Sequence, residues 1–152
     1  NTKSNGDFFR QCEDFVDRYD NIKISGIRYR FHHNYVKSPY YLNTRIYSCI
    51  LIDNSIEHKW RGRYNEDTDL SLRVLKDGDC TLLFTWCYCN KAATLTMEGG
   101  NEDIYKETDS RREFADSLKN QHPDVVDVVW RYNRWHHNVD YSKFRNNELN
   151  SV

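Results

Sequence analysis

The segment Trp60-Arg61-Gly62-Arg63-Tyr64-Asn65-Glu66-Asp67-Thr68-Asp69 runs from a loop into a predicted helix start and carries three carboxylates there. Acidic residues in a first helical turn complement the helix dipole, which accounts for their sign. It does not account for the loop before them, where two Arg, a Gly, a Trp and a Tyr fill five positions. Rings and guanidinium groups beside a carboxylate offer stacking surfaces and charge-assisted donors to a substrate. Trp60, Arg61, Arg63, Tyr64 and Asn65 are therefore candidate substrate contacts. A carboxylate at the mouth of such a cleft is suited to deprotonate an acceptor hydroxyl.

A second group is Arg134-Trp135-His136-His137-Asn138-Val139-Asp140, just after a predicted strand. Adjacent residues of a strand point to opposite faces, so at most one of His136 and His137 serves a given site. One His with a carboxylate elsewhere suits a divalent cation held mostly by phosphate oxygens and water. The spacing does not fit a closed zinc site. Arg134 joins the candidate substrate contacts. A third group, Arg28, Arg30, His32, His33, Tyr35, Lys37, Tyr40 and Tyr41, is basic and aromatic. It reads either as a solvated strand and loop or as a nucleic-acid groove, in which Arg28, Arg30, His33 and Lys37 would meet phosphates.

The elements that must position these groups alternate. A helix is expected from Asp7 to Arg18, on a stripe of Phe8, Cys12, Phe15 and Val16. A strand is expected over Ile22–Phe31, a loop over His32–Leu42, and a strand buried on both faces over Ile46–Ile52. The best-signalled helix has Asn65 as N-cap, Leu70, Leu72, Val74 and Leu75 as its apolar stripe, and Gly78 as its stop. Strands are expected over Cys80–Trp86 and Ala92–Met97, and a turn at Glu98–Asn101. A helix follows over Ser110–Asn120, capped by Thr108 or Asp109 and apolar at Phe114, Ala115 and Leu118. A core strand over Val125–Tyr132 and a short helix or irregular arm after Asp140 complete the chain. The pattern predicts an α/β fold in a single domain over residues 1–152.

The run Arg63–Gly78 resembles the acidic helix-start motif of inverting GT-A glycosyltransferases, in the longer form found in the TET/JBP-associated glycosyltransferases of phage DNA hypermodification. The resemblance extends to Tyr41–Ser48, Glu98–Asn101 and Trp135–Tyr141, and so spans roughly Asn21 to Leu149. It implies a GT-A-like mixed sheet flanked by helices. It implies that Asp67, with Glu66 as the neighbouring candidate, activates the acceptor hydroxyl. It also implies that His136 or His137 helps to hold a divalent metal, Mn2+ or Mg2+, on the diphosphate of a UDP-sugar. The implied acceptor is the hydroxyl of 5-hydroxymethylcytosine or a related pyrimidine in DNA, extruded from the duplex.

The chain departs from the GT-A pattern in one place. No Asp-x-Asp precedes Asn65, and a helix opens the chain where a βαβ nucleotide fold is expected. Asp67-Thr68-Asp69 has the letters but falls inside the helix motif, and Asp77-Gly78-Asp79 sits in a turn. The expectation is a fragment of a larger GT-A domain, or a minimal variant lacking part of the N-terminal nucleotide-binding half.

The bulk composition bounds these readings. The 152 residues suffice for one sizeable core, and 14% aromatics against 38% hydrophobics put much of the apolar area on rings. A net charge of -1 argues against wholesale binding to DNA through counterion release and for a local patch. Five Cys, an odd number, are expected to be buried thiols rather than a disulfide framework. No apolar run approaches the roughly 20 residues of a membrane span, and no signal peptide pattern is present. The reading is cytoplasmic, in the host cell if phage-encoded. The competing class is a non-catalytic DNA-binding or scaffold module derived from the same fold. A nuclease built on His136-His137-Asn138 has no further motif in its favour.

Overall fold

Two strands, Ile22–Tyr29 (β1) and Cys80–Cys89 (β4), lie side by side in parallel at the centre of a four-stranded sheet. Tyr40–Leu42 (β2) adds antiparallel to β4, and Ile50–Ile52 (β3) adds antiparallel to β1, giving the order β2-β4-β1-β3. The sheet is therefore mixed. The computed structural model describes residues 6–29, 37–47, 49–90 and 110–152.

Both faces of this sheet are covered, so Ile22, Ile24, Leu82 and Phe84 of its central strands are all buried although they divide between the two faces. Helix α1, Asp7–Val16, lays Cys12, Phe15 and Val16 against Ile22, Leu82 and Phe84 on one face. Helix α2, Glu66–Lys76, lays Leu70 and Val74 against Ile24 and Ile46 on the other. The opposite side of α2, through Leu72 and Leu75, meets Leu118, Val125, Val126 and Phe144. Leu118 belongs to helix α3, Ser110–Gln121, Phe144 to a 3₁₀ turn at Tyr141–Phe144, and Val126 to the hairpin of β5 (Val126–Arg131) and β6 (Arg134–Val139), which Val125 immediately precedes. Alpha2 thus joins two half-cores, and its N-terminus sits at their junction.

Most expected elements are present with shifted ends, three differ in kind, and one expected cap does not form. The run from Ile46 to Ile52 is a strand only over its last three residues, because Cys49 takes a left-handed φ of 48° and is exposed. Ile46 is fully buried without being in a strand. The segment read as a loop up to Leu42 ends in β2, paired in register from Tyr40↔Phe84 to Leu42↔Leu82. Val126–Arg131 is not a core strand of the main sheet but half of a separate two-stranded sheet, anchored at its base by Val126 and open at its tip. Asn65 stands before α2 but does not cap it, since its left-handed φ of 56° turns the side chain away. The expected strand at Ala92–Met97, the turn at Glu98–Asn101 and the caps Thr108 and Asp109 lie outside the described residues. Gly78 does stop α2: at φ 93° its amide donates to the Leu75 carbonyl at 3.2 Å.

Of the five thiols, Cys12 and Cys80 are buried, and burial pushes Cys80 up to about 11 and Cys87 up to about 12. They behave as small apolar side chains.

Candidate active site

The turn after β2, the start of α2, the strand β6 and the 3₁₀ turn bring Arg45, Asp67, His137 and Tyr141 into one electrostatic neighbourhood. Arg45 acts on each of the other three. The C-terminal segment that carries Tyr141 is stitched down by amides. Asn43 Nδ2 donates to the carbonyls of Phe144 and Asn147 at 2.9 and 2.8 Å, and Asn147 Nδ2 donates to those of Leu75 and Asp79.

Asp67 is the second residue of α2. Its Oδ1 accepts from the Thr68 amide at 2.7 Å and from the Thr68 hydroxyl at 3.2 Å. Burial disfavours its charge more than these bonds favour it, and the neighbouring Glu66 adds repulsion, so its carboxyl is raised above the ordinary range. Glu66 itself is exposed. The two carboxylates are therefore inequivalent: one is desolvated beside Arg45, the other faces water.

The two histidines are also inequivalent. On β6 they alternate faces, His137 opposite Val128 and His136 opposite Val129. His136 Nε2 accepts from Arg134 Nε at 3.0 Å. His137 Nε2 is buried with no hydrogen-bond partner, and burial, with Arg45 nearby, lowers its pKa to about 4. At neutral pH His137 is a neutral imidazole. Tyr141 is similar: its hydroxyl is buried without a partner, and burial raises its pKa.

The predicted loop contacts divide. Trp60 is 54% exposed. Tyr64 stacks on Phe114 of α3 with centroids 3.4 Å apart, and Arg63 lies over the Tyr64 ring at 5.6 Å. Asn65 Nδ2 donates to the Phe114 carbonyl at 2.9 Å. Arg61 turns inward: its Nε and Nη2 fork onto Asp69, at 3.1 and 2.8 Å from Oδ1. Asp69 is 1% exposed and also accepts from Arg73 Nε at 3.0 Å and from His122 Nε2 at 2.8 Å. Burial pushes the Asp69 carboxyl up, but its bonds to Arg61 and His122 and the charge of Arg73 prevail and hold it below the ordinary range. The second carboxylate of Asp67-Thr68-Asp69 is thus consumed by internal partners.

Two clefts reach the cluster at its edges, one through His137 and one through Tyr141, and Asp67 and Arg45 line neither. One of about 200 Å³ is lined by Asn65, Phe114, Arg134, Trp135, His136 and His137, among others. The other, about 690 Å³, runs between Tyr41–Thr44 and the segment Tyr141–Leu149. Arg28, near the end of β1, and Lys37, before β2, line neither cleft. Arg30 and His33 lie outside the described residues. Among the described residues no group of three or more His, Cys, Asp or Glu could hold a metal ion. Nor is any helix among them long and apolar enough to cross a membrane.

Sequence reasoning missed Arg45, Tyr141 and His122 as parts of this region, and gave Asp69 none of its partners. Arg45 and Tyr141 fall within the segments of family resemblance, and Asp69–Arg73 has the i,i+4 spacing of a helical ion pair. His122 carried no signal.

The sequence profile of the TET-Associated Glycosyltransferase family matches residues 2–100, and the chain belongs to that family. No curated protein and no solved structure matches it.

Proposed function

We propose that the chain transfers a sugar from a UDP-sugar to the hydroxyl of a 5-hydroxymethylated pyrimidine in DNA, by the inverting, metal-assisted GT-A route. The observation that carries the proposal is the desolvated Asp67 carboxylate beside Arg45, with the unpartnered His137 and Tyr141 around it. A carboxylate with a raised pKa is a stronger base than an exposed one. Asp67 takes the proton of the acceptor hydroxyl as that oxygen bonds to the anomeric carbon, and the carbon–oxygen bond to the diphosphate breaks. Arg45 offers charge-assisted donors to the departing diphosphate. The cleft of about 690 Å³, which Tyr141 lines and Asp67, Arg45 and His137 do not, falls in the roughly 300–1,000 Å³ range of small-ligand sites. His137 Nε2, buried and neutral, fits a single imidazole ligand of a divalent cation, with phosphate oxygens and water completing the shell. Mn2+ or Mg2+ there supplies positive charge against the leaving group.

A non-catalytic DNA-binding module is the second reading. It is favoured by the engagement of Asp69 and by the missing cluster of metal-binding side chains among the described residues. Calorimetric titration of UDP into the purified chain, with and without manganese, separates the two. Metal-dependent binding supports the enzyme; no binding supports the module.

A further inference from the structure

Ten consecutive residues, Val128 to His137, contain no Asp or Glu in a chain that is 30% charged and has a net charge of -1. They form the outer part of the β5–β6 hairpin, and two of them are Arg, two Trp, one Tyr and two His. The turn is built from Tyr132 at φ 51° and Asn133 at φ 58°, the paired left-handed geometry of a tight hairpin. That geometry throws the Tyr132 ring outward, where it is 88% exposed. Trp130 is 54% exposed and packs edge-on against Trp135 at 5.2 Å. Arg112 of α3 lies over the other ring, 4.8 Å from the Trp135 centroid. Arg131 and Arg134 are directly paired in the register, share one face and are exposed.

Aromatic rings held in water at a hairpin tip cost free energy unless something covers them, and arginines around them select an anionic occupant. An exposed ring at the tip beside a pair of guanidinium groups matches a base and its neighbouring phosphates in an unpaired strand. A duplex hides its base faces and would use the arginines alone. We propose that the outer half of the hairpin binds an unpaired stretch of nucleic acid, with Tyr132 at the tip stacking on a base and Arg131, on the face that Arg134 and His136 share, meeting phosphate. The surface adjoins the cleft that His136 and His137 line. It deepens the acceptor side of the preceding reading and rests on it for the strand being DNA.

The test is fluorescence anisotropy of a labelled single-stranded oligothymidylate, titrated with the whole chain without donor or metal. Tyr132→Ala removes a ring that is almost wholly in solvent, so folding is spared. It should weaken binding by roughly 5- to 150-fold, the worth of one stacked base. Arg131→Ala should lower the slope of log affinity against log salt by about 0.7. Arg10→Ala, on an exposed position of α1, should bind as the native chain does. Unchanged affinity in both Tyr132→Ala and Arg131→Ala overturns the inference. So does a native chain that ignores the oligonucleotide and binds phosphatidylserine vesicles instead. Hairpin-dependent strand binding without any sugar transfer would sink the glycosylation reading and leave this one standing.

Discussion

Replacing Asp69 by Asn keeps the shape of the side chain and removes its charge, leaving Arg61, Arg73 and His122 around a neutral amide. The carboxylate is 1% exposed and receives donors from all three, with the Arg61 fork at 2.8–3.1 Å. Breaking a buried pair by neutralising one partner costs about 3–5 kcal/mol. That is a large share of the roughly 5–15 kcal/mol that stabilises a typical domain. With a urea slope of about 2 kcal/mol per molar, the unfolding midpoint should fall by roughly 1.5–2.5 M. Arg61→Ala should cost less, about 1–2 kcal/mol, because the Arg61 side chain is 48% exposed and Asp69 keeps Arg73 and His122. Equilibrium urea unfolding followed by tryptophan fluorescence reads both. The sign with pH is fixed by the lowered carboxyl of Asp69. Its contribution is present above its unfolded value of about 3.9 and is lost as pH falls through the folded one. The gap between native and Asp69→Asn chains should therefore close in acid. A midpoint for Asp69→Asn within about 0.5 M of native, at neutral pH, would refute this account of the network.

Asp67→Asn should unfold at higher urea than the native chain at pH 7, because the folded state disfavours that carboxylate. The gain should vanish near pH 4, where the unfolded carboxyl also protonates, and an unfolding series across pH reads it. His137→Ala should weaken manganese-dependent UDP binding, whereas His136→Ala, whose Nε2 is already engaged by Arg134, should leave it intact; calorimetry of both variants decides. The His137 imidazole, lowered to about 4, costs stability as pH falls from about 6.5 towards that value, since the unfolded chain takes up the proton first. Replacement by Gln should flatten that part of the stability profile.

Where sequence and fold agree, local chemistry decided the outcome. Alpha2 carries its acidic first turn, apolar stripe and Gly78 stop in adjacent residues, and α3 carries Phe114, Ala115 and Leu118 at helical spacing. Where they part, the deciding contact is remote. Asn65 has the residue type of an N-cap, but a carbonyl 49 positions away at Phe114 takes its amide. Ile46 belongs to an apolar run that reads as strand, yet it is drawn into the core under α2 while Cys49 turns the chain. Arg61 looked like a substrate contact because nothing nearby predicts that Asp69 would be sealed against His122, 53 positions on. The inequivalence of His136 and His137 follows from alternation along β6, Arg134–Val139, a strand that the sequence reading leaves unassigned because it ends the last strand at Tyr132. Which of them is left without a partner depends on Arg134 and on burial beneath the hairpin.

The most direct test of the central claim is transfer of labelled sugar from a panel of UDP-sugars to 5-hydroxymethylcytosine DNA, comparing the native chain with Asp67→Asn and Glu66→Gln. The account predicts transfer from at least one donor, a loss of roughly 100- to 10,000-fold in Asp67→Asn, and near-native turnover in Glu66→Gln. Native turnover by Asp67→Asn would contradict it.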